Sequence, residues 1–135
     1  LRHNSRSYIF SASITPASTA AALKAIEIMK SEPERQENLW KLTNYALEGF
    51  KNMGIEIGNT STPIIPLFIR DNFKTFAITR DLLEEGIFVN PVVSPAVAPQ
   101  DTLIRFSLMA THTMEQVTTA LEKIQKVFRA HDLIK

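Results

Sequence analysis

The hydrophobic period changes at Gly54. Upstream, Leu39, Leu42, Ala46, Phe50 and Met53 recur at helical spacing; downstream, Ile55-Glu56-Ile57 alternates as a half-buried strand does. A chain that switches period in this way folds as helices against a sheet, and local signals place the pieces. Thr15 before Pro16 reads as an N-cap with proline at the first helical position, opening an Ala-rich helix to about Lys30. Ser31-Glu32-Pro33-Glu34 reads as a capping box that starts a second helix, and Gly54 stops it. The run from Pro63 to Ile69, "PIIPLFI", is strand-like, its prolines favouring an edge or a strand start. Asp71 or Asn72 caps a helix through Glu85, which Gly86 ends. A strand from Ile87 to Val93, a proline-rich loop from Ser94 to Asp101 and a stronger strand from Thr102 to Ala110 follow. Thr113-Met114-Glu115-Gln116 is a further capping box, and Val117, Leu121, Ile124 and Phe128 form one face of the closing helix. The predicted fold class is α/β, a short sheet with helices packed on it, in the order helix, helix, strand, helix, strand, strand, helix.

No repeat or linker divides the chain, so residues 1–135 are expected to form a single domain. At 135 residues, 44% hydrophobic and 21% charged, it can bury a core without a disulfide or structural metal. The absence of cysteine removes zinc-thiolate, iron-sulfur and thiol-nucleophile chemistry. A formal charge of +1, with 15 basic residues scattered among 14 acids, argues against nucleic acid as a partner. No run approaches the ~20 apolar residues of a membrane span, and no signal peptide opens the chain, so a soluble, cytoplasmic protein is expected. The polar opening "LRHNSRS", without a methionine, is what a segment of a longer polypeptide looks like. No G-x-S-x-G, P-loop, H-E-x-x-H or G-x-G-x-x-G occurs, and neither a metal site nor a self-sufficient catalytic apparatus is expected.

Within "LIRFSLMATHT", strand alternation places Leu103, Arg105, Ser107 and Met109 on one face and Ile104, Phe106, Leu108 and Ala110 on the other. The second set is core, so Arg105 points away from it. Taken alone, that describes a solvated strand arginine. Its setting suits an anion: a proline-rich loop before it, Ser107 beside it and a helix N-terminus at Thr113 just after, with a planar guanidinium fork that matches a carboxylate. Ser11 and Ser13 precede the first helix, where hydroxyls and backbone N–H groups hold a phosphate or merely cap and turn the chain. His112 reads as structural, and His3 and His131 lie in terminal segments with no partner in view.

"YIFSASITPAS", "STPIIPLFI", "EEGIFVNPVVSPAVAP" and "LIRFSLMATHT", in this order and spacing, resemble the C-terminal domain of the α-oxoamine synthases. These are pyridoxal-phosphate (PLP) enzymes of the fold type I (aspartate aminotransferase-like) superfamily, and the resemblance covers essentially the whole chain. It implies that Arg105 holds the carboxylate of an amino-acid substrate. It also implies that Ser11, and Ala12 through its backbone, reach the cofactor phosphate of the other subunit of a homodimer. The form of the motifs implies a PLP-dependent acyltransferase that condenses L-serine with palmitoyl-CoA, with decarboxylation, to 3-ketosphinganine. Siblings take glycine or alanine with a shorter or dicarboxylic acyl-CoA. The Schiff-base lysine, the histidine that stacks on the cofactor and the aspartate that pairs with its ring nitrogen belong to a large domain that nothing here matches. The chain alone is therefore expected to bind no cofactor covalently and not to turn over. Some relatives carry a second arginine where this chain has Ser94, so that contact is not carried over. A reading from another class is a non-catalytic module that binds a small anion or a partner protein.

Overall fold

Thr15 does cap a helix: its Oγ1 accepts from the Ser18 N–H at 3.2 Å, and Pro16 opens α1 (Pro16–Ser31). The capping box expected at Ser31 is not formed. Ser31 is the last residue of α1 and its hydroxyl donates to the Ile28 carbonyl, so the local carbonyl took the group that the next helix needed. The computed structural model describes residues 4–6 and 12–134, and Cα packing divides the chain after Pro33 into two units. The apolar piece Tyr8-Ile9-Phe10 and the candidate Ser11 lie outside the described residues. In the first unit, no residue of α1 is buried.

The second unit begins with α2 (Glu34–Asn52), whose Leu42, Ala46, Leu47 and Phe50 are buried as the helical spacing requires. It ends at Gly54, where φ is +75°; the Ile55 N–H donates back to the Phe50 carbonyl across a turn that L side chains adopt at a cost. Three strands follow: β1 (Ile64–Phe68), β2 (Asn90–Val92) and β3 (Leu103–Ser107), antiparallel in the order β1-β3-β2. Helix α3 (Asn72–Glu84) lies between β1 and β2 in sequence, capped by Asp71, whose Oδ1 accepts from the Lys74 N–H at 2.7 Å. A 3₁₀ turn (Pro99–Asp101) leads into β3, and α4 (Met114–Ala130) closes the chain with both hydrogen bonds of the Thr113–Gln116 capping box in place.

Both β2 and β3 are shorter than the apolar runs that predicted them. Before β2, the Ile87 N–H is committed to the Leu82 carbonyl in the turn that ends α3 at Gly86. After β3, the Met109 N–H donates to His112 Nδ1 at 3.2 Å, which turns the chain toward α4.

The sheet is one-sided. Ile65 and Leu67 of β1 and Ile104 and Phe106 of β3 are buried against the helices, where the Phe106 ring meets Phe50 of α2 edge to face at 5.2 Å. Between α2 and α4, Gly49 permits close approach: a Cβ there would lie 2.7 Å from Leu121 Cδ1, and Leu121 is itself buried. Among the described residues, no helix is long and apolar enough to cross a membrane.

Helices α3 and α4 are also tied by charge. His131 Nε2 lies 2.7 Å from Asp81 Oδ2, which supplies the partner that the sequence left out of view, and Lys126 Nζ lies 2.7 Å from Glu85 Oε1. The hydrogen bond from His131, helped by Arg80, holds the Asp81 carboxyl below its usual range; Lys126 does the same for Glu85. Both folded-state values lie below the unfolded ones. The contribution is therefore complete above the ordinary carboxylate range, about pH 4, and is lost as pH falls through the depressed values. Unfolding midpoints measured between pH 6 and pH 2.5 should fall on the acid side, and Asp81→Asn should flatten that fall. An unchanged acid limb in the variant would contradict the assignment.

Candidate functional site

Arg105 sits at the middle of β3, on the face of the sheet turned away from the core, with Pro66 of β1 and Asn90 of β2 as its cross-strand neighbours. Neither is charged. Its contact with Asn90, Nη2 to Oδ1, is 3.5 Å, the outer limit of a hydrogen bond, and it makes no ion pair among the described residues. A guanidinium carries five donors in a planar fork. Among the described residues Arg105 spends one of them, weakly, which leaves donors for a planar anion.

Beside it β2 stops pairing, and a groove of about 830 Å³ opens between the chain leading into β2 and the end of β3. Phe88 and Asn90 form one wall, Arg105, Ser107 and Met109 the other, and His112 lies at the α4 end. The turn that carries His112 is fixed from α2, where Asn38 Nδ2 donates to the Ala110 carbonyl at 2.8 Å. With its Nδ1 accepting from Met109, neutral His112 carries its proton on Nε2, and its described role is to close the turn.

A clamp at Arg70 sets how the chain enters β3. Arg70 has φ +64° and places its guanidinium over the Phe68 ring, 4.9 Å from the centroid. The same group grips the Glu56 carboxylate, with Nε to Oε2 at 2.9 Å, and donates to the Gln100 carbonyl at 2.9 Å. The Arg70 hydrogen bond holds the Glu56 carboxyl below its usual range. Residues 100–101 are thereby tied to the end of β1, just ahead of the strand that carries Arg105.

The setting foreseen around Arg105 is realised in part. Ser107 and Thr113 line its groove, whereas no residue of the proline-rich loop 94–101 does. The N-terminus of α4 is occupied by its own chain, because Thr113 and Gln116 satisfy each other's backbone N–H groups. Anion capacity therefore rests on Arg105. Asn90 escaped the sequence reading because only strand pairing brings it beside Arg105; the signal available was a polar residue within an apolar run. In the first unit, Ala12 is exposed three residues before the N-cap, and its N–H makes no backbone hydrogen bond within the described residues.

Where PLP is concerned, the donor set around Arg105 fits a substrate carboxylate rather than a covalent cofactor. Lys123, the lysine that lines the groove, donates to the Glu85 carbonyl. The Ala12 N–H, without a backbone partner among the described residues, fits a phosphate oxygen.

A profile of the aminotransferase class I and II family matches residues 1–124. Serine palmitoyltransferase of Bacteroides thetaiotaomicron is 60% identical over 134 residues, covering 99% of this chain and 34% of that protein. The 8-amino-7-oxononanoate synthase of Symbiobacterium thermophilum is 40% identical over 134 residues, 99% of this chain and 34% of that one. A serine palmitoyltransferase structure from S. paucimobilis, with a bound PLP–myriocin aldimine, superposes with a TM-score of 0.82 at 32% identity, over 98% of this chain and 34% of that chain. The chain thus spans about a third of the length of the proteins it matches.

Proposed function

We propose, from the premise that this chain belongs to the aminotransferase class I and II family, that it is the C-terminal domain of a PLP-dependent serine palmitoyltransferase. The parent condenses L-serine with palmitoyl-CoA, and Arg105 holds the serine carboxylate. The observation that carries this reading is the nearly unspent Arg105 fork, exposed between Pro66 and Asn90 with no carboxylate paired to it among the described residues. The greater identity to a serine palmitoyltransferase than to an 8-amino-7-oxononanoate synthase, 60% against 40%, favours serine over the sibling substrates.

The contribution of these residues is orientation. A carboxylate held by two parallel N–H···O bonds has its plane fixed, and with it the directions of the remaining bonds at Cα. The Arg70 clamp fixes the start of the strand that carries Arg105. When bound in the parent, PLP supplies an electron sink for the chemistry at Cα. Ser11, and Ala12 through its N–H, would hold the cofactor phosphate, reaching the other subunit of a homodimer. The cytoplasmic setting belongs to the same reading and rests on the family resemblance.

The test is a visible-absorbance titration of the full-length, cofactor-loaded parent with L-serine, glycine and L-alanine. A saturable change selective for L-serine is expected. Preference for glycine or alanine would transfer the reading to a sibling, and silence toward all three would overturn it in favour of a non-catalytic module. The 135-residue chain alone should form no product from L-serine, palmitoyl-CoA and added PLP; turnover by it would refute its assignment as a partial site.

A further inference from the structure

We propose that the free edge of β3 at Ser107 is paired, in the full-length polypeptide, by a β-strand from outside residues 1–135, which closes that side of the groove and leaves the Arg105 guanidinium open to its anion. The inference rests on the reading of this chain as one part of a longer protein, and not on which amino acid that protein uses.

The parity of the sheet exposes the edge. The Leu108 N–H donates to the Pro63 carbonyl and the Ile69 N–H to the Thr102 carbonyl, both at 3.0 Å. Even-numbered residues of this strand therefore direct their backbone groups toward β1, and the odd ones toward β2. Leu103 and Arg105 find Val92 and Asn90 there, and the ladder then stops. The next odd residue is Ser107, opposite the position that Phe88 would take. Phe88 instead swings away, 79% exposed, and makes no backbone hydrogen bond to β3. Ser107 thus presents an N–H and a carbonyl to the groove without a backbone partner among the described residues. Beyond it, the Met109 N–H is closed off by His112, so the vacancy is short and bounded.

Three observations select a strand from the same polypeptide as the occupant. An acyl chain or other apolar ligand would cover the Ser107 N–H and carbonyl without satisfying them, whereas a strand pairs both. On the opposite edge the outward-facing residues of β1 are the even-numbered ones: Pro66 lacks an N–H, and the Phe68 N–H is already given to the Glu56 carbonyl at 3.0 Å, so extension is confined to the β2 side. The proteins this chain matches are about three times its length, and the unmatched two-thirds provides the segment.

The test uses the full-length parent with the photo-crosslinking residue benzoylphenylalanine replacing Phe88, a position outside the proposed substrate contacts, together with amide hydrogen exchange at Ser107. The expected result is a monomer-sized product joining position 88 to a peptide outside residues 1–135, with the Ser107 amide exchanging at least a hundredfold more slowly than in an unstructured chain. Exchange at the unstructured rate, cross-links confined to residues 1–135, no cross-link, or cross-links only between two copies would overturn the proposal. Because the readout needs no substrate, it stands or falls separately from serine recognition.

Discussion

Arg105→Ala in the full-length, cofactor-loaded parent is expected to weaken L-serine binding tenfold to a hundredfold or more. The substitution removes charge-assisted hydrogen bonds worth about 1.5–3 kcal/mol, which corresponds to roughly a tenfold to 150-fold rise in Kd. The fold should be untouched, because the side chain is exposed and its contact with Asn90 lies at the limit of hydrogen bonding. Arg105→Lys should fall between the two: the charge remains, but the planar fork that fixes the carboxylate is gone. Spectroscopic titration with L-serine checks both variants. An unchanged Kd in Arg105→Ala would remove Arg105 from the substrate site.

The largest expected effect on stability is at Phe50. It is 0% exposed and its ring meets Phe106 edge to face at 5.2 Å, so it joins α2 to the strand that carries Arg105. Phe50→Ala should cost about 3–5 kcal/mol through lost transfer energy and the cavity left behind. That is a large share of the 5–15 kcal/mol or so that holds a typical domain together. Phe50→Leu, which keeps most of the volume, should cost clearly less. Denaturant unfolding followed by circular dichroism measures both. A loss below about 1 kcal/mol for the alanine variant would mean that the site collapses around the gap and that Phe50 is no anchor.

What the sequence disclosed follows the range of the interactions. Thr15, Asp71 and Thr113 cap helices through residues three positions away, so their signals are complete within a short window. The outward direction of Arg105 was equally legible, because alternation along a strand is local. Ser31 misled because its hydroxyl had two local uses and took the carbonyl of the preceding helix. The strand ends misled because pairing, not hydrophobicity, sets them: Ile87 and Met109 lie in apolar runs, yet their N–H groups are committed to turns. Asn90 beside Arg105, Asp81 beside His131 and the Arg70 clamp on Gln100 join residues 15 to 50 positions apart. None could be read before the sheet and helices were assembled. The free edge at Ser107 is of the same kind, since it depends on where β2 stops.

Substrate recognition turns on a carboxylate meeting Arg105, and the most direct measurement is a two-by-two comparison. The full-length parent and its Arg105→Ala variant are each titrated with L-serine and with L-serinamide, which keeps the amine and side chain but lacks the carboxylate. The parent should prefer L-serine by about tenfold or more, and the preference should nearly vanish in the variant, because the two changes delete the same contact. An undiminished preference for L-serine in Arg105→Ala would place the carboxylate on another residue and contradict the central claim.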